Sequence, residues 1–154
     1  MHQIVGGNAF KASMPYTDIS KLATCTSCFF KADLSNYWTA NLYFRARNGS
    51  YKRVPQIANQ FNDGDNAGIT VYYTSSGPNA TTAFRPGFRM LTGDAQRRTS
   101  EGLGKNMQQC YRCYTQKNFG GSGASPCMDA KWDTDSFPSQ RCVGGIRSNI
   151  IFPQ

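Results

Sequence analysis

A strict alternation between residues 36 and 46 constrains this chain more than any other feature in it. Trp38, Ala40, Leu42, Phe44 and Ala46 are apolar, and Tyr37, Thr39, Asn41, Tyr43 and Arg45 between them carry polar groups. A period of two is that of a half-buried strand, so the apolar set is expected to face a core. Asn48-Gly49 follows, the pair that most readily takes positive φ in a two-residue hairpin turn, and residues 50–54 are expected to return as the partner strand. Pro55 ends that strand or confines it to an edge.

The rest of the chain points the same way. Aromatic residues and Gly are frequent, charged residues are sparse, and no long helical period is present, which predicts an all-β, loop-rich antiparallel sandwich. At 154 residues the chain has the length of one domain, 1–154, around a single core. Ile69, Val71 and Tyr73 alternate with Thr70 and Tyr72 as a third strand. Arg85-Pro86-Gly87 suits a type II turn between Phe84 and Phe88, with a strand expected over residues 88–91. Ile146, Ile150, Ile151 and Phe152 mark a last strand within residues 144–153. Asp18 is a candidate N-cap for a short helix around residues 20–24, and Gly6-Gly7-Asn8 permits a tight turn or a close backbone approach. Residues 56–68 read as an exposed polar loop. Asp63-Gly64-Asp65 within it looks like part of a calcium loop but lacks the other spaced ligands and the closing Glu, so calcium is not expected.

No apolar run approaches the roughly 18 residues of a membrane span, and no charged segment followed by an apolar one opens the chain as a signal peptide would. The formal net charge of +8 favours an anionic partner. Arg45, Arg47, Lys52 and Arg53 cluster on the hairpin and Arg97-Arg98 form a pair, while the others are dispersed among aromatic and Gly residues. Such dispersion also describes an ordinary solvated face; among binding readings it favours an acidic glycan over nucleic acid.

Six cysteines occur as Cys25-Thr26-Ser27-Cys28, Cys110-Tyr111-Arg112-Cys113, Cys127 and Cys142. Two Cys-x-x-Cys pairs are the signature of a zinc site, and with the basic charge they would fit a zinc-stabilised nucleic-acid binder. Against zinc, the pairs are far apart in sequence, no Gly-rich knuckle surrounds them, and two further cysteines lie in loops. A disulfide framework drawn from all six is favoured, with the pairing left open. Asn48-Gly49-Ser50 and Asn79-Ala80-Thr81 are N-glycosylation sequons, which suits a secreted chain. Asn48 is equally explained by the hairpin turn.

Several phrases occur together along the chain: Met1-His2-Gln3-Ile4-Val5-Gly6-Gly7-Asn8, Cys25-Thr26-Ser27-Cys28, Asn36-Tyr37-Trp38-Thr39-Ala40, Tyr51-Lys52-Arg53-Val54-Pro55, Pro86-Gly87-Phe88-Arg89-Met90, Cys110-Tyr111-Arg112-Cys113-Tyr114 and Gly145-Ile146-Arg147-Ser148-Asn149. In this order they resemble a fungal family of secreted proteins known as a domain of unknown function, whose members often carry a WSC carbohydrate-binding module. The resemblance implies an extracellular protein in a cell-wall or plant-biomass setting. It also implies a domain continuing past both ends, because members read Ser-x-His-x-His before the Gly-Gly and run on after the last strand.

Two functions follow as expectations. One is a glycan-cleaving enzyme acting on fungal or plant cell-wall polysaccharide. His2, the single histidine, would be one member of a His-rich site, Tyr43 and Arg89 would join it as proton donor and anion clamp, and Tyr37, Tyr72 and Tyr73 would bind substrate. The other is a non-catalytic carbohydrate-binding or wall-associated module, with rings stacked on sugar faces. Each tyrosine also has a plain reading as sheet packing, and Trp38 reads better as core than as anchor. Neither a cofactor nor a metal set can be read from these residues.

Overall fold

The structure, a computed structural model, describes residues 1–14, 16–56, 68–74, 77–78, 80–99, 108–116 and 127–152. The chain divides into two compact units, Met1–Phe88 and Arg89–Gln154. The expected β-rich, loop-rich, antiparallel character is borne out: the described strands form sheets of two, two and three strands, and two disulfides are present. The helical element among the described residues is a single turn, Ile19–Lys21, capped as the sequence predicts by the Asp18 carboxylate accepting from the Ser20 N–H.

In the first unit, β1 (His2–Gly6) pairs with β2 (Asn36–Ala40), His2 opposite Ala40 and Gly6 opposite Asn36. β3 (Tyr43–Arg45) pairs with β4 (Tyr51–Arg53). The hairpin turn falls at Asn48-Gly49 but as a three-residue loop over residues 47–49 rather than the expected two-residue turn, because Gly49 and not Asn48 takes positive φ. Gly49 has φ +83° and donates its N–H to the Ala46 carbonyl, while Asn48 Oδ1 accepts from the Ser50 N–H and hydroxyl. The long strand over residues 36–46 is corrected to two. The chain changes partner between them: the Asn41 N–H donates to the Met1 carbonyl, and the Leu42 carbonyl accepts from Val54.

The expected direction of the alternation is also corrected. Trp38 is 43% and Phe44 62% exposed, whereas Tyr37, Thr39 and Tyr43 are half-buried. The polar-edged face collects the packing, because its groups find partners there: Tyr37 bonds Asp33 and Tyr73, and Arg53 donates to Gln3. On the other face Trp38 meets His2 edge-on, with ring centroids 4.7 Å apart. Residues 69–74 and 88–91, expected as strands, join no ladder among the described residues. Alternation alone does not make a strand when no neighbouring backbone takes its hydrogen bonds. The Asp63-Gly64-Asp65 loop lies outside the described residues.

Gly6-Gly7 is the close approach anticipated above. A Cβ on Gly6, whose φ is +104°, would overlap the Ser35 carbonyl, and one on Gly7 would overlap that of Leu34. The Gly6 N–H donates to the Ser27 hydroxyl oxygen, the Gly6 carbonyl accepts from the Ser27 N–H, and the Asn8 N–H donates to the Cys25 carbonyl. These bonds tie the 24–28 loop to the end of β1. Gly6→Ala is therefore expected to destabilise the first unit by more than about 1 kcal/mol, read as a lowered denaturation midpoint. An unchanged midpoint would refute the close approach.

In the second unit, β5 (Gln109–Tyr114) is the central strand, flanked by β6 (Asp133–Thr134) and β7 (Gly145–Ile150). The final strand falls as predicted; β5 lies in a stretch that composition alone marks as irregular. Cys110 and Cys113, 2% and 3% exposed, are three apart on this strand and so point to opposite faces. Cys127 reaches Cys110 and Cys142 reaches Cys113. Their opposite directions rule out a shared zinc knuckle on β5. Cys25 and Cys28 form no disulfide and carry free thiols.

Candidate functional site

The first unit presents an exposed aromatic surface built around one turn. The Phe88 N–H donates to the Arg85 carbonyl at 3.0 Å and Gly87 has φ +80°, the type II geometry expected of Arg85-Pro86-Gly87-Phe88. The reversal brings Phe84 back onto Phe88. Their rings stack with centroids 4.7 Å apart and planes 8° from parallel. Tyr73 meets Phe84 edge to face at 5.7 Å, and Tyr16 lies within reach of Gly87, where a Cβ would meet its ring at 3.6 Å. Tyr73, Phe84 and Phe88 are 58%, 55% and 50% exposed, so the rings contact one another and still keep open area.

A polar edge borders these rings. The Tyr73 hydroxyl donates to that of Tyr37 at 3.4 Å, and Tyr37 donates to Asp33 Oδ2 at 3.2 Å. Burial, followed by the hydrogen bond and charge of Tyr73 and the charge of Asp33, pushes the Tyr37 phenol well above the usual tyrosine range. Tyr37 is thus held protonated, as a donor, and is unsuited to serve as a base at neutral pH. Partly exposed rings beside hydrogen-bonded hydroxyl and carboxylate groups can take a pyranose: the exposed ring surface meets sugar C–H bonds and the polar edge meets sugar hydroxyls.

Two of the candidate residues fall at this surface, Tyr37 and Tyr73, which are joined directly; Tyr72 is exposed but makes no ring contact with the group. His2 is on the other face of the β1–β2 sheet, since its register partner is Ala40 whereas that of Tyr37 is Val5. Tyr43 directs its hydroxyl at the Met1 sulfur, 3.4 Å away. Arg89 belongs to the second unit. Asn48 is exposed on its turn, and Asn79 lies outside the described residues. Sequence reasoning passed over Phe84 and Phe88 as site residues, although Phe-Arg-Pro-Gly-Phe announces them: a turn of that type returns its flanking rings to one place.

The second unit holds a buried polar row. Arg112, 1% exposed, donates from Nε to Asp133 Oδ1 at 2.7 Å and from Nη2 to Oδ2 at 2.6 Å, and the Asp129 N–H also donates to Oδ2. This hydrogen bonding holds Asp133 below the usual carboxylate range and Arg112 above its ordinary value. Arg147 lies opposite Arg112 on β7, its guanidinium 5.9 Å from the centre of the Tyr114 ring. Among the described residues no group of three or more metal-ligating side chains is gathered.

Strands in small antiparallel sheets, two disulfides on one central strand and an exposed aromatic surface define a β-class, disulfide-stapled domain. The chain belongs to the family described as a domain of unknown function, DUF1996, whose model matches residues 1–154. No curated protein and no solved structure matches it. No helix among the described residues is long and apolar enough to cross a membrane.

Proposed function

We propose that this chain is an extracellular domain that binds fungal or plant cell-wall polysaccharide without cleaving it, using the Tyr73, Phe84 and Phe88 rings as the platform. The observation that carries this reading is the exposure of three mutually contacting rings beside the Tyr37–Asp33 hydrogen bond. Isolated exposed aromatics are ordinary; a contiguous, turn-supported group with a polar border is the form a binding surface takes. The net charge of +8 favours acidic glycans, and the two disulfides suit an oxidising compartment. Asn48, exposed on its turn and followed by Gly49-Ser50, is a site for N-glycosylation on this reading. The family match runs unbroken across both units, which favours treating them as one domain.

Binding is preferred to cleavage because His2, the expected catalytic group, sits on the sheet face opposite the substrate-binding Tyr37, and Tyr43 directs its hydroxyl at the Met1 sulfur. The test is depletion of the protein from solution by insoluble wall fractions. Tyr73→Ala and Phe84→Ala are each expected to weaken binding about tenfold, since a lost ring contact is worth on the order of 1.4 kcal/mol. Both residues are exposed, so the folded fraction should hold. Undiminished binding by the double variant, or release of soluble sugar by the wild type, would overturn this reading.

A further inference from the structure

The three-stranded sheet of the second unit carries an unbalanced row across its width. Asp133 on β6 is opposite Arg112 on β5, and Arg112 is opposite Arg147 on β7. Register neighbours share a face, so two guanidinium side chains line up with one carboxylate in the row. Both Asp133 oxygens accept from the side-on edge of Arg112, the fork formed by Nε and Nη2, and Oδ2 also accepts from the Asp129 N–H; Arg147 acts on Asp133 through its charge, without a hydrogen bond. Arg147 has the same fork, and there both Nε and Nη2 are buried without a hydrogen-bond partner. Asn149, two residues along β7 on the same face and opposite Cys110, is directed to Cys110 Sγ. Tyr114 offers its ring to the Arg147 charge, but a ring face supplies no acceptor pair matched to a planar fork. A charged donor edge removed from water and left unanswered is strongly unfavourable.

We propose that the Nε/Nη2 edge of Arg147 is a receptor for a carboxylate ligand, of the kind borne by a uronic acid or a small organic acid. A bound carboxylate would repeat beside Tyr114 the two-pronged pairing that Arg112 makes with Asp133, and would bring the row to two charges of each sign. Arg147 as a residue is only half-buried, and its flexible stem lets the edge turn outward to load. This site is built from residues of the second unit and shares none with the aromatic surface. Its failure would leave the binding assay on Tyr73 and Phe84 untouched, and the reverse also holds.

The test is thermal unfolding of the whole chain in sodium acetate or sodium glucuronate, against sodium chloride of equal ionic strength and against glucose. The wild-type midpoint should rise by about 4 °C at a carboxylate concentration about tenfold above its dissociation constant. Arg147→Lys keeps the charge and loses the fork, and should lose the rise. If that variant fails to fold, the wild-type Nε–H resonances decide: that of Arg147 should move with added acetate while that of Arg112 stays. A response to acetate alone assigns a small free acid, and a response to glucuronate assigns a uronate; either supports the receptor. No rise in the wild type, an equal rise in Arg147→Lys, or an unmoved Arg147 resonance would overturn it.

Discussion

Replacing Asp133 with Ala is expected to destabilise the second unit by about 3–5 kcal/mol, the usual consequence of stranding one partner of a buried ion pair. Arg112 is 1% exposed and has both side-on donors on Asp133, so truncation leaves a desolvated cation with Arg147 as its neighbour across the ladder. It also removes the acceptor of the Asp129 N–H. Adding Arg112→Met should recover much of the loss, because the pair removed together leaves no uncompensated charge. A single-variant loss below about 1 kcal/mol in urea denaturation would show that the pair is not buried as described. The same pair sets a pH dependence. The folded-state pKa of Asp133 is lowered, so its stabilisation is complete above the unfolded carboxylate value of about 3.9 and is lost as pH falls through the depressed folded value. Asp133→Asn should flatten that acid limb.

The second large effect is expected at the disulfides. Cys113→Ser opens the bond to Cys142 and should cost about 2–5 kcal/mol, with Cys110→Ser in the same range for the bond to Cys127. Their sequence separations, 29 and 17, order them: loop-closure entropy makes the longer link worth about 0.5 kcal/mol more. Both bonds anchor the central strand, one from each face, so either loss should loosen the β5–β7 ladder. Equal midpoints for wild type and both variants in urea would contradict this arrangement.

The parts of this fold legible in the sequence are those that depend on near neighbours. Gly49 fixes its turn through backbone φ, Gly87 does the same after Arg85-Pro86, and Asp18 caps the residues directly after it. Long-range pairing was not legible. Nothing local says that β2 would take β1 as its partner, or that the chain would exchange partners at residues 41–42. The inward direction of the Trp38 and Phe44 face failed for a related reason. Periodicity shows that two faces differ but leaves open which one meets the rest of the protein, and here the hydroxyl-bearing face finds the partners.

The phrases that carried the family resemblance have a structural counterpart. Met1 to Asn8 contains β1 and Asn36 to Ala40 is β2, and these two pair; Cys110 to Tyr114 and Gly145 to Asn149 lie on β5 and β7, which also pair. The Cys25 to Cys28 phrase is bonded to Gly6 and Asn8. Parity would have separated Cys110 from Cys113 at once had that stretch been recognised as a strand, but its cysteines and neighbouring loop residues concealed it. The Arg112 and Arg147 roles were illegible for a simpler cause. A lone arginine in sequence says nothing of whether a carboxylate will stand opposite it.

The claim that polysaccharide binds on the rings of the first unit is tested most directly by aromatic side-chain NMR during titration with wall-derived oligosaccharides. The ring resonances of Tyr73, Phe84 and Phe88 should shift together along a single saturable curve, while those of His2 and Trp38, paired on the face of the β1–β2 sheet opposite Tyr37, stay in place. Shifts concentrated on His2 and Trp38, or no shift with any oligosaccharide, would contradict it.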